Sequence, residues 1–138
     1  MISYRWRGRF DDVEVNALHA EGFGASGEGW WARVNGHSLG WVCAREGDTL
    51  VGFVNVAWDG GAHAFIVDTV VATTARRRGV GSELVAVAAE HARDLGCEWL
   101  HVDFEDHLRP FYLDRCGFRR TSAGLLALSG GTENVAGP

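Results

Sequence analysis

Residues 72–84 read ATTARRRGVGSEL, and the segments on either side of them have different periods. Residues 64–72 (AFIVDTVVA) form a nearly continuous apolar run, as expected of a central strand covered on both faces. From Val80 onward, apolar residues recur at Leu84, Val87, Ala88, Ala92 and Leu95, which is helical spacing, and Gly96 is placed to end the helix. Arg76, Arg77, Arg78, Gly79, Val80 and Gly81 therefore join a buried strand to a helix N-terminus. A helix N-terminus leaves N–H groups unpaired and carries partial positive charge, which suits an anion. Glycines let the backbone approach a ligand closely, and arginines add bidentate donors. Together they describe a pyrophosphate cradle.

Two nucleotide loops fail on identifiable residues. A Walker loop needs GxxxxGK followed by Ser or Thr, and this chain has no lysine. A dinucleotide fingerprint needs GxGxxG after the first strand. Here Leu84 stands at the third glycine, and the loop follows the last strand of a meander.

Upstream, residues 38–45 are apolar and β-branched enough for a strand. The turn Glu46-Gly47-Asp48 leads to a second strand, Thr49–Trp58, and Asp59-Gly60-Gly61 turns into the run at 64–72. This is a three-stranded antiparallel meander. Downstream, residues 98–105 (EWLHVDFE) return to strand. A strand, a helix of about four turns and another strand make a crossover with parallel strands. Residues 108–116 form a short helix stopped by Gly117, and residues 119–128 a last strand. Near the start, Asp11 or Asp12 caps a helix carrying Val13, Leu18 and Ala20. Residues 22–29 form a glycine-rich loop, and Trp30–Val34 another short helix. The fold class is mixed α/β: an antiparallel meander, a βαβ crossover and a C-terminal αβ unit. Residues 1–128 read as one domain and 129–138 as a loose tail.

Composition narrows the function classes. The chain has 138 residues, 46% hydrophobic and 22% charged, enough for one full core. All 13 basic residues are arginine against 18 acidic ones, so the net charge is -5. That argues against a nucleic-acid surface, which relies on clustered positive charge. No apolar run is long enough for a membrane span or a signal peptide. Cys43, Cys97 and Cys116 form no CxxC pair or zinc spacing, so a cytoplasmic protein without metal is expected.

The loop matches a signature of Arg or Gln, two residues, Gly, one residue, then Gly or Ala, filled by Arg76, Gly79 and Gly81. With Val71 five residues before it and Phe111-Tyr112 and Gly117-Phe118 after it, the chain resembles the GNAT N-acetyltransferase superfamily. The resemblance runs from about Ile2 to Leu128 and implies a GNAT-like fold with splayed parallel strands. It implies acetyl-CoA as co-substrate, with pyrophosphate on Arg77, Arg78, Gly79, Val80, Gly81 and Ser82. The pantetheine arm would lie on the backbone of Val70, Val71 and Ala72. Thr73 stands where many relatives have proline.

Acetyl transfer from a thioester needs a neutral amine, a stabilised oxyanion and a protonated leaving thiolate. Tyr112 resembles the family's proton donor, although it lies five residues before Gly117 where relatives often have four. An insertion at the helix end would absorb the difference. For the base, Asp68 interrupts an apolar strand, and Asp103 and Glu105 alternate with His101 on one side of LHVDFE. A polar row on a strand that should be covered suggests a wet cleft. The structural alternative for these carboxylates is pairing with an arginine or histidine. Trp30 and Trp31, with His101, are candidates to hold the acceptor by stacking or cation–π contact. The expected partner is a small-molecule or peptide amine, with a homodimer left open. The alternative is a non-catalytic acyl-CoA-binding module.

Overall fold

The fold is taken from a computed structural model that describes residues 1–24 and 29–129. Residues 25–28, including Glu28 and half of the expected glycine-rich loop, and tail residues 130–138 lie outside the described residues.

One five-stranded sheet runs in the order β1-β2-β3-β4-β5: β1 (Ile2–Trp6), β2 (Ser38–Glu46), β3 (Thr49–Trp58), β4 (His63–Val71) and β5 (Trp99–His101). The first four pair antiparallel, and β4 pairs parallel with β5. The meander thus has one strand more than its sequence reading. Ile2, Tyr4 and Trp6 are half-buried while Ser3 and Arg5 are exposed, a period-two signal present in ISYRW.

Helix α1 (Asp12–Phe23) starts at Asp11. Asp11 Oδ1 accepts the Glu14 N–H at 2.8 Å, and Glu14 Oε2 accepts the Asp11 N–H at 3.0 Å, a closed capping box. Gly22 and Phe23 belong to this helix rather than to a loop. A Cβ on Gly22 would stand 2.8 Å from Val70 Cγ2, so α1 lies tightly on β4 only because residue 22 is glycine. Helix α2 (Trp30–Val34) follows, and α3 (Val80–Asp94) covers the other face of the sheet. Val80, Leu84, Val85, Ala88 and Ala92 are its buried stripe, and Gly96, at φ 98°, lets the chain turn back toward β5.

Two C-terminal expectations change. β5 covers only three residues instead of 98–105. Residues 119–128 form no strand: Leu125, Leu126 and Leu128 are 77%, 81% and 91% exposed. That stretch is poor in β-branched residues and carries Gly124, so it lacks the pattern that pins a strand to an edge. The short helix α4 spans Pro110–Arg115 and is wound wider than an α-helix. The Cys116 N–H bonds the Phe111 carbonyl five residues back at 3.0 Å. A wide turn of this kind holds one residue more than an α-helical turn.

Candidate active site at the opening between two strands

β4 and β5 pair only at His63–Trp99, Ala64–Leu100 and Phe65–His101. Beyond that point β4 continues for six residues, and residues 102–105 run unpaired. The strands therefore splay, and the β4 edge from Ile66 to Val71 opens into a cleft. Ala72 N–H bonds Val51 O of β3 at 2.8 Å. By strand alternation, the polar groups of Val71 point the other way, into the cleft. Arg76 Nε donates to the Val71 carbonyl there at 3.3 Å.

A β-bulge lies along the open edge. Val67 faces Asn55 and Val70 faces Phe53, so Asp68 and Thr69 together oppose Val54. Asp68 takes φ 56°, a left-handed conformation that aspartate tolerates better than most residues. Its carboxylate turns toward α1, where His19 Nε2 lies 3.1 Å from Asp68 Oδ1. An ionised carboxylate only accepts, so His19 Nε2 carries the proton. His19 is 5% exposed and stacks against Trp30 (ring centroids 4.1 Å) and Phe23 (4.7 Å). Sequence reasoning missed His19; a lone histidine on a helix gives no signal until its strand partner is known.

On the other side of the bulge, Thr69 approaches Tyr112. The phenol is 6% exposed, stacked on Phe104 (5.0 Å) and edged by Phe111 and Phe118. Burial pushes its pKa above the ordinary value of 10.0, and the Thr69 hydroxyl nearby partly offsets that rise. Thr69 Oγ1 is buried and makes no aligned hydrogen bond among the described residues, so the two hydroxyls are neighbours without being well paired.

The loop 76–79 leads into α3. Gly79 is the N-cap, at φ 77°, and no side chain caps the helix. Arg77 is also left-handed, at φ 63°. Backbone turned this way aims successive N–H groups outward, as an anion site requires. Ser82 Oγ donates to the Gly79 carbonyl at 3.1 Å. The Arg78 guanidinium forms two bonds to Glu46 of β2, at 3.1 and 2.6 Å, and braces the loop to the sheet. Alongside, Ser82, Val85, Ala89, Arg115 and Arg119 border a groove of about 310 Å³ between α3 and α4.

The other sequence candidates separate. Asp103 and Glu105 are exposed on the unpaired stretch, alternating with half-buried Val102 and Phe104. His101 lies at the last paired position. Its Nε2 is 2.7 Å from His63 Nδ1 and its ring stacks on Phe65, so it belongs to a histidine pair. Trp30 is 7% exposed, against His19. Trp31 packs among Phe10, Trp41 and Phe53. Among the described residues no group of three or more potential ligands could hold a metal, and no helix is long and apolar enough to cross a membrane.

A sheet that splays beside an uncapped helix is the architecture of one group of acyltransferases, and comparison with known proteins agrees. The profile of the Acetyltransferase (GNAT) family matches residues 6–118, and this chain belongs to that family. The fold is also that of a GNAT-family acetyltransferase from Streptococcus pneumoniae: 23% identity, 95% of this chain, 100% of that one, TM-score 0.78. Glucosamine-6-phosphate N-acetyltransferase from Arabidopsis thaliana shares it at 16% identity, 91% and 97% coverage and TM-score 0.70. So does AAC(6')-Iy, solved with a bisubstrate analogue of CoA, at 16% identity, 92% and 97% coverage and TM-score 0.76. No curated protein matches the sequence significantly.

Proposed function

We propose that the protein transfers an acetyl group from acetyl-CoA to a primary amine of a small molecule or peptide by direct attack. The observation that carries this reading is the bulge at Asp68-Thr69. It lies on the open edge of β4, with a carboxylate on one side and the Tyr112 phenol on the other. Acyl transfer to an amine is helped by a proton acceptor within reach of the attacking nitrogen and a proton donor within reach of the leaving sulfur.

The N–H groups of Arg77 to Ser82 and the Arg76 guanidinium would take the pyrophosphate, and the cleft-facing backbone of Val70 to Ala72 the pantetheine arm. Absence of a side-chain cap on α3 supports the first assignment, and the Val71 edge the second. Tyr112 would return a proton to the departing sulfur. Asp68 would take one from the amine, and exposed Asp103 and Glu105 would draw a cationic acceptor toward the mouth. Trp30, through its stack on His19, would wall the acceptor side.

The test is a panel of primary amines, scored by free thiol released from acetyl-CoA, beside a thermal scan with CoA alone. Upward shift of the melting point with CoA and amine-dependent thiol release are expected. A CoA shift without release from any amine would leave a binding module. No shift would remove the reading.

A further inference from the structure

Asp68 is held by a partner that is itself unusual. His19 is an almost fully buried imidazole on α1, 49 residues before Asp68, with a side chain 6% exposed against 24% for Asp68. Phe23 and Trp30 hold its ring at 4.7 and 4.1 Å, both tilted by 30°. The backbone of Asp68 is held left-handed in the bulge, a conformation kept only where the surroundings impose it. Both members of the pair are thus fixed, one by aromatic packing and the other by the strand. The pair spans from α1 to the edge that β5 leaves open.

We infer that His19 is a positioning residue for the acetyl transfer, clamping Asp68 so that its second oxygen takes the proton of the acceptor amine. This rests on the acetyltransferase reading. Nε2–H of His19 occupies Asp68 Oδ1 and leaves Oδ2 for the acceptor. As the amine nitrogen bonds the acetyl carbon, the carbon–sulfur bond breaks. The nitrogen's proton passes to Oδ2, and the thiolate takes a proton from Tyr112. Asp68 later loses its proton to water and Tyr112 regains one, so the cycle closes without any other reactant. His19 touches neither substrate. It restricts the carboxylate to one rotamer, and small misplacements of a catalytic group are costly in rate.

The experiment uses the full chain with acetyl-CoA and the best amine of the panel. His19→Phe keeps the ring between Phe23 and Trp30 but removes the donor; His19→Gln restores an N–H without the ring; Asp68→Asn removes the base. Expected are a kcat loss of about 10²-fold or more for Asp68→Asn and about tenfold for His19→Phe. The KM for acetyl-CoA and the CoA-induced melting shift stay unchanged. His19→Gln regains part of the rate. The double variant His19→Phe/Asp68→Asn is no slower than Asp68→Asn alone, because the clamp has nothing left to position. His19→Phe retaining wild-type kcat overturns the inference while the acetyltransferase reading stands. So does a loss from His19→Phe that adds in full to that of Asp68→Asn. A wild-type chain that releases no thiol with any amine overturns both.

Discussion

Gly81, in the first turn of α3, faces the Phe111 ring of α4: a Cβ on Gly81 would stand 3.1 Å from Phe111 Cζ and 3.2 Å from Cε1. The same position would lie 3.7 Å from Val71 Cγ2 at the end of β4. The start of α3, the end of β4 and the helix carrying Tyr112 therefore meet at one residue without a side chain. Gly81→Val should push Phe111 outward and destabilise the fold by about 1–3 kcal/mol, the usual range for overpacking. It should also remove the melting shift with CoA. Thermal scans with and without CoA check both effects, and a full shift in the variant would show that the loop does not depend on this contact.

Tyr112→Phe keeps the ring among Phe104, Phe111 and Phe118 and removes only the hydroxyl, so the fold should hold and kcat should fall. General acids contribute about 10²–10⁴-fold, and water reaching the sulfur would place the loss near the lower end. Burial raises the phenol pKa, so the group keeps its proton at every pH below 10. The neutral phenol is the form that folding favours. Its stabilising effect is whole below pH 10 and is lost as pH rises through the higher folded value. The rate ratio of wild type to variant should thus be flat from pH 6 to 9. A variant as fast as wild type across that range would exclude Tyr112 as the donor.

Glu14 closes the α1 capping box and also meets Arg45 of β2, Oε1 at 3.0 Å and Oε2 at 2.7 Å. The Arg45 guanidinium holds the Glu14 pKa below its ordinary 4.5, against a smaller opposing effect of burial. A depressed folded pKa gives stability that is present above the unfolded value and lost as pH falls through the folded one. Both side chains are about a quarter exposed, so the pair is worth little more than a surface bridge. Glu14→Gln should cost about 0.5–1.5 kcal/mol at pH 7 and almost nothing at pH 3, by urea denaturation at the two pH values. An equal cost at both would mean that the cap, and not the charge, matters.

Cys43 is 2% exposed beneath Gly8, and burial pushes its thiol pKa up to about 12. The thiolate is the reactive form, so Cys43 should be silent at pH 8. Cys97 and Cys116 are half-buried. A disulfide reagent such as DTNB should therefore titrate at most two of the three thiols in the folded protein and all three in denaturant. Three fast thiols in the native chain would show that the β1–β2 edge opens.

The sequence carried much of this architecture because its signals are local. The apolar run 64–72 and the recurrence from Val80 to Ala92 each specify one element by its own period, and Gly79, Gly81 and Gly96 mark where backbone must turn. The strand at ISYRW was equally legible in its alternation. The C-terminal errors have a different origin. Residues 98–105 alternate like a strand, but pairing needs a neighbour at the right distance, and β4 supplies one for three residues only.

What no local pattern holds is which side chains meet. Asp68 read as an anomaly in an apolar strand, and its partner stands 49 residues away on a helix whose sequence says nothing of it. The wide turn of α4 between Tyr112 and Gly117 has no signal in the sequence either. Arg78 read as part of the phosphate loop, and nothing in that loop says that its guanidinium meets Glu46 of β2. By itself the sequence determined the central meander, the crossover helix and the family, because backbone preference and periodicity depend on near neighbours. Only the tertiary structure decided the His19–Asp68 pair, the residue at which β5 stops pairing and the packing of Tyr112. Those depend on distances between segments that are far apart in the chain.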